Sequence, residues 1–362
     1  MMKKSFNTNL LYHHRSGYRK WLVIALSAGL LIQSSLQAGQ RPVNIKMASL
    51  APEGSPWHQV LQEIAQDWRD LSNNQVRLQI YAGGVIGDES DMVRKMRLSQ
   101  VQAAALTAEG LSYIDKGIYG LSLPLLVDNY AELDWLRAQL EPELRRRYEE
   151  KEFIVLAWAD VGWAYWFTRK PTKTPDDLRK QRIFTWAGDP HSPRLWKTAG
   201  FQAVSLSAMD VLPGLQTGLI DAVQSSPLTV ASFQWFGIIK YMTNLPWAAM
   251  TGGLIINSKS WNRIPENLRP RLRAAVRKRT LRIKNQIRYT DDEAVAVMQE
   301  HGLEIVDITE DERAQWQQFV DRYGPILRGT LVDTAMYDQI QALRREMDRP
   351  DFTLPEEGSG NQ

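Results

Sequence analysis

The stretch "FIVLAWADVGWAYWF", Phe153 to Phe167, is a continuous extended apolar run in the middle of the chain. Strands of globular proteins are mostly about three to ten residues long, so this run is too long for one ordinary strand. Gly162 interrupts the run and predicts a bend, as expected where a chain crosses from one sheet into another. We therefore place a domain boundary at this stretch.

The segments before this run alternate between strand and helix patterns. Residues 44–49, "NIKMAS", alternate between polar and apolar side chains and predict a strand. Ser55 followed by Pro56 predicts a helix start, because Ser caps the first turn and Pro fits the first helical position. Residues 101–108, "VQAAALTA", are small and mostly apolar, as in a buried parallel strand. This order predicts a three-layer α/β domain with right-handed crossovers.

The bulk composition is that of a soluble globular protein. The chain has 362 residues, of which 44% are hydrophobic and 23% charged, and this length suits two domains or one large α/β unit. It contains no Cys. Disulfides, thiol catalysis and Cys-based metal sites are therefore excluded.

The first 38 residues have the pattern of a signal peptide. Five Lys or Arg and no acidic residue accompany the apolar run "WLVIALSAGLLI", residues 21–32. A run of that length suits a signal sequence better than a membrane span, although an uncleaved anchor is the alternative. We expect residues 1–38 to be removed and the protein to be periplasmic. Their removal changes the formal charge from +3 to −2, so we expect no nucleic-acid partner.

The sequence contains none of the familiar catalytic patterns. There is no G-x-S-x-G, H-E-x-x-H or P-loop motif. His58, His191 and His301, the His residues beyond the leader, are scattered and have no metal-ligand spacing. We therefore predict that the protein is not an enzyme and needs neither a cofactor nor a metal, with a secreted α/β enzyme as the alternative.

Four further segments, taken in order, resemble a known family. They are "GLSLPLLVDNYAE", "GWAYWFTRKPTKTPDDLRKQRIF", "LSAMDVLPGLQTGLIDAVQSSP" and "GGLIINSKSWNRIPENLRPRL". Together with the N-terminal half of the chain, they are similar to the periplasmic solute-binding proteins of TRAP transporters, the DctP type. The resemblance covers roughly residues 44–320. It is closest to a divergent subgroup that is associated with a TPR-repeat periplasmic partner.

The resemblance implies an α/β fold of two domains that close on a ligand like a Venus flytrap, with crossing strands and a long scaffold helix. Domain I would comprise residues 39–160 plus about 246–285, and domain II residues 161–245 plus about 286–347. Residues 348–362 would form a disordered tail. A small-molecule ligand would pass from the cleft to a membrane permease that is driven by an ion gradient and not by ATP.

The family's anion-binding positions have changed in this sequence. Members commonly carry Arg in the strand after the D-L-K-G turn and in the crossing strand, and the matching residues here are Phe184 and Ala164. A carboxylate closed off from water must be paired, since burying it alone costs several kcal/mol. We therefore expect an apolar or aromatic ligand. The family's acidic-then-amide turn reads Gln224, Ser225 and Ser226 here.

The predicted ligand-binding residues combine these positions with nearby aromatic side chains. They are Trp57, Trp163, Ala164, Tyr165, Phe184, Trp186, Gln224, Ser225, Ser226 and Trp247. Each aromatic residue could instead belong to the core. Two further alternatives stay open at this point: a carboxylate ligand held by Arg182 or Arg194, and a structural or sensory partner without a transport ligand.

Overall fold

The structure of the protein is a computed structural model, and it describes residues 41–189 and 191–354. The predicted signal peptide, residues 1–38, lies outside the described residues, and so do residues 355–362 of the predicted tail. Within the described part of that tail, the Phe352 ring packs edge-on at 5.1 Å from the Trp135 ring. No helix in the described ranges is long and apolar enough to cross a membrane.

Strands and helices alternate along most of the described chain. The strands are β1 (Val43–Ser49), β2 (Val76–Tyr81), β3 (Ala103–Thr107), β4 (Phe153–Thr168), β5 (Arg182–Trp186), β6 (Gln202–Leu206), β7 (Ala222–Ser225), β8 (Tyr241–Thr243), β9 (Ala248–Asn257) and β10 (Glu304–Val306). The helices are α1 (Pro56–Leu71), α2 (Glu89–Arg97), α3 (Ala108–Ser112), α4 (Tyr130–Glu150), α5 (Pro175–Arg179), α6 (Ser192–Thr198), α7 (Val211–Thr217), α8 (Pro227–Ser232), α9 (Ser258–Asn262), α10 (Arg269–Glu300), α11 (Glu310–Tyr323) and α12 (Thr334–Met347).

The strands join in the order β2-β1-β3-β9-β4-β7-β5-β6, with β8 between β4 and β10. The fold has two halves. The first half is built on the parallel unit β2-β1-β3, and the second half is built on the parallel unit of β5, β6 and β7. The antiparallel strands β9 and β4 lie between these two units. This arrangement is the two-part α/β fold with crossing strands that the sequence predicted.

Strand β4 makes the crossing between the two halves. Its residues Phe153–Ala164 pair with β9, and its residues Tyr165–Thr168 pair with β7. The pairing with β9 shifts register between Asp160 and Gly162, and Gly162 has a φ of 116°. That backbone conformation suits glycine, so the bend predicted at Gly162 is confirmed.

Helix α1 begins as its sequence predicted. The Ser55 hydroxyl accepts a hydrogen bond from the backbone N–H of His58, and Pro56 occupies the first helical position. The helix buries one face at helical spacing, which packs on the sheet and on α10. The buried residues of that face are Val60, Leu61, Ile64, Ala65 and Trp68.

Helix α10 is the long scaffold helix, and ion pairs attach it to the first half. Arg279 donates hydrogen bonds to Asp67 of α1 at 2.7 and 2.8 Å. Arg288 donates to Asp134 of α4 and to Asp160 of β4. Helix α10 also contacts α8 of the second half. It therefore spans both halves.

The last helix packs on the core of the first half. Met336 and Ile340 of α12 are buried in the same cluster as Leu140 and Leu144 of α4. The predicted limits had assigned residues 286–347 to domain II, and this packing supports moving α12 to domain I. The remaining domain limits stay a prediction.

Candidate ligand-binding site

A cavity of about 390 Å³ lies between the two parallel units. The last residues of four parallel strands line it, namely Ser49 of β1, Thr107 of β3, Trp186 of β5 and Ser225 of β7. Ligands of open α/β sheets bind outside the carboxyl ends of the strands, so this is the expected position for a binding site. Apolar side chains supply most of the remaining wall, among them Leu50, Leu106, Leu123, Trp235, Met250 and Leu254.

Six of the predicted site residues line this cavity. They are Trp57, Phe184, Trp186, Gln224, Ser225 and Trp247. Trp247 is otherwise fully buried and packs on Trp166 and Trp316, so it is a wall residue that also belongs to the core.

The three predicted site residues of β4 do not line the cavity. Trp163 is buried in the core of the first half, with its ring 5.4 Å from that of Tyr130. Ala164 is fully buried and pairs with Ala248. Tyr165 borders a separate cavity of about 320 Å³ beside Asp291. Strand β4 reaches the cavity through Ala159 and Val161 instead, and its next residues turn into the core or toward the second cavity.

Ser226 is also absent from the cavity wall, because it has a structural role. It is fully buried, and its hydroxyl accepts a hydrogen bond from the Thr229 backbone N–H at 3.3 Å. It therefore caps the start of α8. Its neighbour Ser225 keeps its place in the wall.

Phe184 has both of the roles that the sequence left open. It lines the cavity, and only 8% of its surface is exposed. Its ring lies 4.9 Å from that of Trp186 in an edge-to-face arrangement and packs with the core residues Val211 and Leu215. Edge-to-face pairs add about 0.5–1.5 kcal/mol beyond area burial, so this pair makes a rigid aromatic wall.

No Lys or Arg lines the cavity within the described ranges. Arg182 lies at the far end of β5, where its guanidinium pairs with Asp221 at 2.7 Å. Arg194 is exposed on α6 and does not reach the wall. Neither residue is placed to hold a carboxylate in this cavity. The described residues also contain no cluster of His, Asp and Glu that could hold a metal.

Two buried carboxyl groups line the cavity, and sequence reasoning missed both. Glu89 accepts hydrogen bonds from the backbone N–H and the hydroxyl of Thr107 and from the Gly110 backbone N–H, at 2.6–2.8 Å. Burial raises the pKa of Glu89 to about 7. The hydrogen bonds of Glu89 attach α2 to the junction of β3 and α3.

Glu109, the second of these residues, accepts hydrogen bonds from two phenols. The Tyr113 hydroxyl donates at 2.6 Å, and the Tyr119 hydroxyl donates to the other oxygen. Burial, together with the charge of nearby Asp189, raises the pKa of Glu109 to about 8. Its position just after a buried parallel strand could have identified it, since ligand contacts concentrate at such strand ends.

Comparison with known proteins agrees with this architecture. The model of the family "Bacterial extracellular solute-binding protein, family 7", the DctP family, matches residues 47–324. A solute-binding protein of Albidiferax ferrireducens is 23% identical over 73% of this chain and 79% of its own. The C4-dicarboxylate-binding periplasmic protein DctP of Rhodobacter capsulatus is 20% identical over 81% of this chain and 88% of its own.

Solved structures share the fold. A TRAP periplasmic solute-binding protein of Shewanella oneidensis with bound succinate matches with a TM-score of 0.77 and 16% identity, covering 84% of this chain and 100% of its own. One from Ralstonia eutropha with bound (S)-2-acetolactate matches with a TM-score of 0.78 and 17% identity, over the same shares. The chain therefore belongs to family 7 of the bacterial extracellular solute-binding proteins, which places it among solute receptors and not among enzymes.

Proposed function

We propose that this protein is the periplasmic receptor of a TRAP transporter for a small organic ligand with an apolar or aromatic body. The ligand would occupy the cavity between the two halves and would be released to a membrane permease that an ion gradient drives. Closure of two lobes about crossing strands is a common motion of such receptors.

The absence of a cation from the described cavity wall carries this proposal. Phe184 stands at the position where the resemblance places an Arg, and it presents an aromatic ring to the cavity. Ala164, at the other such position, is buried away from the wall. A carboxylate enclosed here would have no charged partner, and its desolvation would cost several kcal/mol. An apolar ligand would avoid that cost and gain about 25 cal/mol per Å² of buried apolar surface.

The ligand class would set this protein apart from its structural neighbours. Succinate and acetolactate, which are bound in the two solved structures, are carboxylates. Because those proteins are less than 20% identical to this chain, they share its fold without determining its ligand.

Mass spectrometry of the molecules released from the denatured purified protein tests the ligand class. We expect an apolar or aromatic compound at close to one equivalent. A carboxylate such as malate at stoichiometry would contradict the proposal. An empty protein without a thermal shift across a broad metabolite and lipid panel would instead indicate a structural or sensory partner.

The proposed partners are the membrane permease subunits of a TRAP transporter and, from the resemblance to the divergent subgroup, a TPR-repeat periplasmic protein. Uptake into proteoliposomes that contain the permease tests the first partnership. We expect uptake to depend on this protein, to stop when an ionophore collapses the ion gradients, and to need no ATP. ATP-dependent uptake would contradict the assignment.

A further inference from the structure

We infer that the ligand carries a hydrogen-bond donor at its polar end, a hydroxyl or an ammonium group, and that Glu109 accepts its hydrogen bond. The inference rests on the proposed function, since it concerns the same cavity and ligand. It reverses the charge preference of a carboxylate receptor: here the protein supplies the carboxyl group.

The first step concerns the free acceptor capacity of Glu109. Its side chain is 7% exposed and lines the cavity at the start of α3. Each of its two oxygens accepts one phenol, from Tyr113 and from Tyr119. The ionised group offers about four acceptor positions and the protonated group about three, so at least one stays open for a ligand in either state. Tyr119 also lines the cavity and fixes the orientation of the group.

The second step separates Glu109 from Glu89. The three hydrogen bonds of Glu89 come from Thr107 and Gly110, so they are local and structural. The contacts of Glu109 come instead from side chains. Of the two buried carboxyl groups, Glu109 can therefore accept more additional hydrogen bonds from a ligand in the cavity.

The third step concerns the charges that surround Glu109. Burial raises the pKa of Glu109 most, and the charges of Asp189, which follows β5, and of Glu89 and Asp88 raise it further. Asp189 accepts from the His191 and Ser192 backbone N–H groups at 2.7 and 3.0 Å. Lys116 and His191 lie outside the cavity wall, where Lys116 Nζ lies 3.0 Å from the His191 ring and donates to the Thr330 carbonyl at 2.9 Å. A bound carboxylate would add another acidic group to this cluster of acidic side chains, whereas a bound ammonium would offset their negative charge.

A second polar group of the wall suggests that the ligand also accepts a hydrogen bond. Trp57 lines the cavity, and its Nε1 is buried without a hydrogen-bond partner among the described residues. Buried N–H groups are nearly always paired, so a ligand oxygen could satisfy this one. One neutral donor cannot balance a carboxylate charge, but it suits a hydroxyl, which both donates and accepts.

Three probes with one shared body test the inference: phenylbutylamine, phenylbutanol and phenylbutyrate. Calorimetric titration of the purified protein should show binding of the amine and the alcohol, and phenylbutyrate should bind at least about tenfold more weakly. The Glu109→Gln substitution should weaken amine binding about tenfold or more and should reduce the discrimination against phenylbutyrate. Glu300→Gln, at an exposed position of α10, is the matched control and should leave all three affinities unchanged.

The pH dependence of the unmodified protein gives an independent result if Glu109→Gln does not fold. The Glu109 carboxyl, with a pKa of about 8, and the Glu89 carboxyl of the same wall, with a pKa of about 7, lose their protons as pH rises from 6 to 9, so the profile reports the summed charge of this pair. Amine binding should therefore tighten over this range, phenylbutyrate binding should weaken, and phenylbutanol binding should change least.

The outcomes separate the inference from the proposed function. Two results would overturn the inference: equal affinity for phenylbutanol and phenylbutyrate, or an amine affinity that changes neither with Glu109→Gln nor with pH. The protein would then still be a receptor for an apolar ligand. Binding of phenylbutyrate alone, or of none of the three probes, would remove both.

Discussion

The carboxylate of Asp291 occupies the space into which a side chain at position 162 would project. A Cβ placed on Gly162 would lie 2.5 Å from Oδ2 of Asp291 and 3.0 Å from Cβ of Ser226. The crossing strand β4, the scaffold helix α10 and the start of α8 therefore meet at one glycine. Oδ1 of Asp291 accepts a hydrogen bond from the Leu228 backbone N–H at 3.2 Å, which joins α10 to α8.

Substitution of Gly162 by Ala should destabilise the protein by roughly 2–4 kcal/mol. The backbone has a φ of 116°, where L-residues are strained, and the added methyl group would collide with Asp291. Urea unfolding followed by Trp fluorescence measures the change. Gly237→Ala is the control, since an added Cβ there meets no atom within 4 Å. Equal stability of both variants would mean that β4 does not depend on this close approach.

Asp291 should make the protein less stable as pH rises. Burial raises the pKa of Asp291 to about 7, well above its unfolded value of about 3.9. The folded state then binds the extra proton, so stability falls between about pH 4 and pH 7 and stays reduced above that range. The full penalty is roughly 4 kcal/mol, from a pKa difference of about 3 units at about 1.4 kcal/mol each.

The Asp291→Asn substitution isolates that contribution, because Glu89 and Glu109 also have raised pKa values and titrate in a similar range. We expect the difference in unfolding free energy between the variant and the unmodified protein to grow in favour of Asn from pH 4 to pH 7. A difference that stays constant with pH would show that Asp291 is ionised throughout.

Phe184→Arg should change the ligand preference at a cost in stability. Its side chain lines the cavity but is mostly buried against Trp186 and Leu215, so a guanidinium there loses hydration and packing. We expect a loss of roughly 2–4 kcal/mol together with tighter binding of phenylbutyrate than in the unmodified protein. Calorimetry and thermal unfolding measure the two effects.

Phe184→Leu is the matched control for the loss of the ring without a charge. It should cost about 1–2 kcal/mol and should not strengthen phenylbutyrate binding. If both variants bound phenylbutyrate equally, the cavity would respond to volume and not to charge.

Asp160→Asn should be strongly destabilising. The Asp160 side chain is buried and pairs with Arg137 and Arg288 from two different helices. Removal of its charge takes one carboxylate from two largely buried guanidinium groups, and breaking a buried ion pair typically costs about 3–5 kcal/mol. Arg137 and Arg288 both keep Asp134 as a second partner, so we expect the lower end of that range in urea unfolding.

The Arg349–Asp351 pair offers an exposed comparison for that experiment. Both side chains are largely in solvent, so Asp351→Asn should change stability by less than about 0.5 kcal/mol. Similar effects of the two substitutions would show that Asp160 is better hydrated than its burial indicates.

The sequence predicted the fold correctly where local pattern decides it. The limits of the crossing strand agree to within one residue, and the start of α1 at Ser55 and Pro56 is confirmed. Packing between distant segments was harder to predict. The limits expected from the family resemblance put α12 in the second half, whereas Met336 and Ile340 pack in the core of the first.

The candidate site was predicted in part. Phe184, Trp186 and Gln224 lie near the carboxyl ends of strands, and they line the cavity. Trp163 and Tyr165 were chosen for the same aromatic character, yet Trp163 packs in the core of the first half and Tyr165 borders the separate cavity beside Asp291. Residue type alone could not separate these two environments, because the difference depends on which helices cover the strand.

The sequence by itself determined the family, the alternation of strands and helices and the place where the chain crosses between its halves, because these features depend on local periodicity, caps and one glycine. Only the tertiary structure decided which side chains face the cavity. Glu109 shows the reason: its burial and its raised pKa come from Tyr119, Asp189 and other groups that folding brings together. Burial and charge interactions depend on the distance between groups in space, and the spacing of residues along the chain does not reveal that distance.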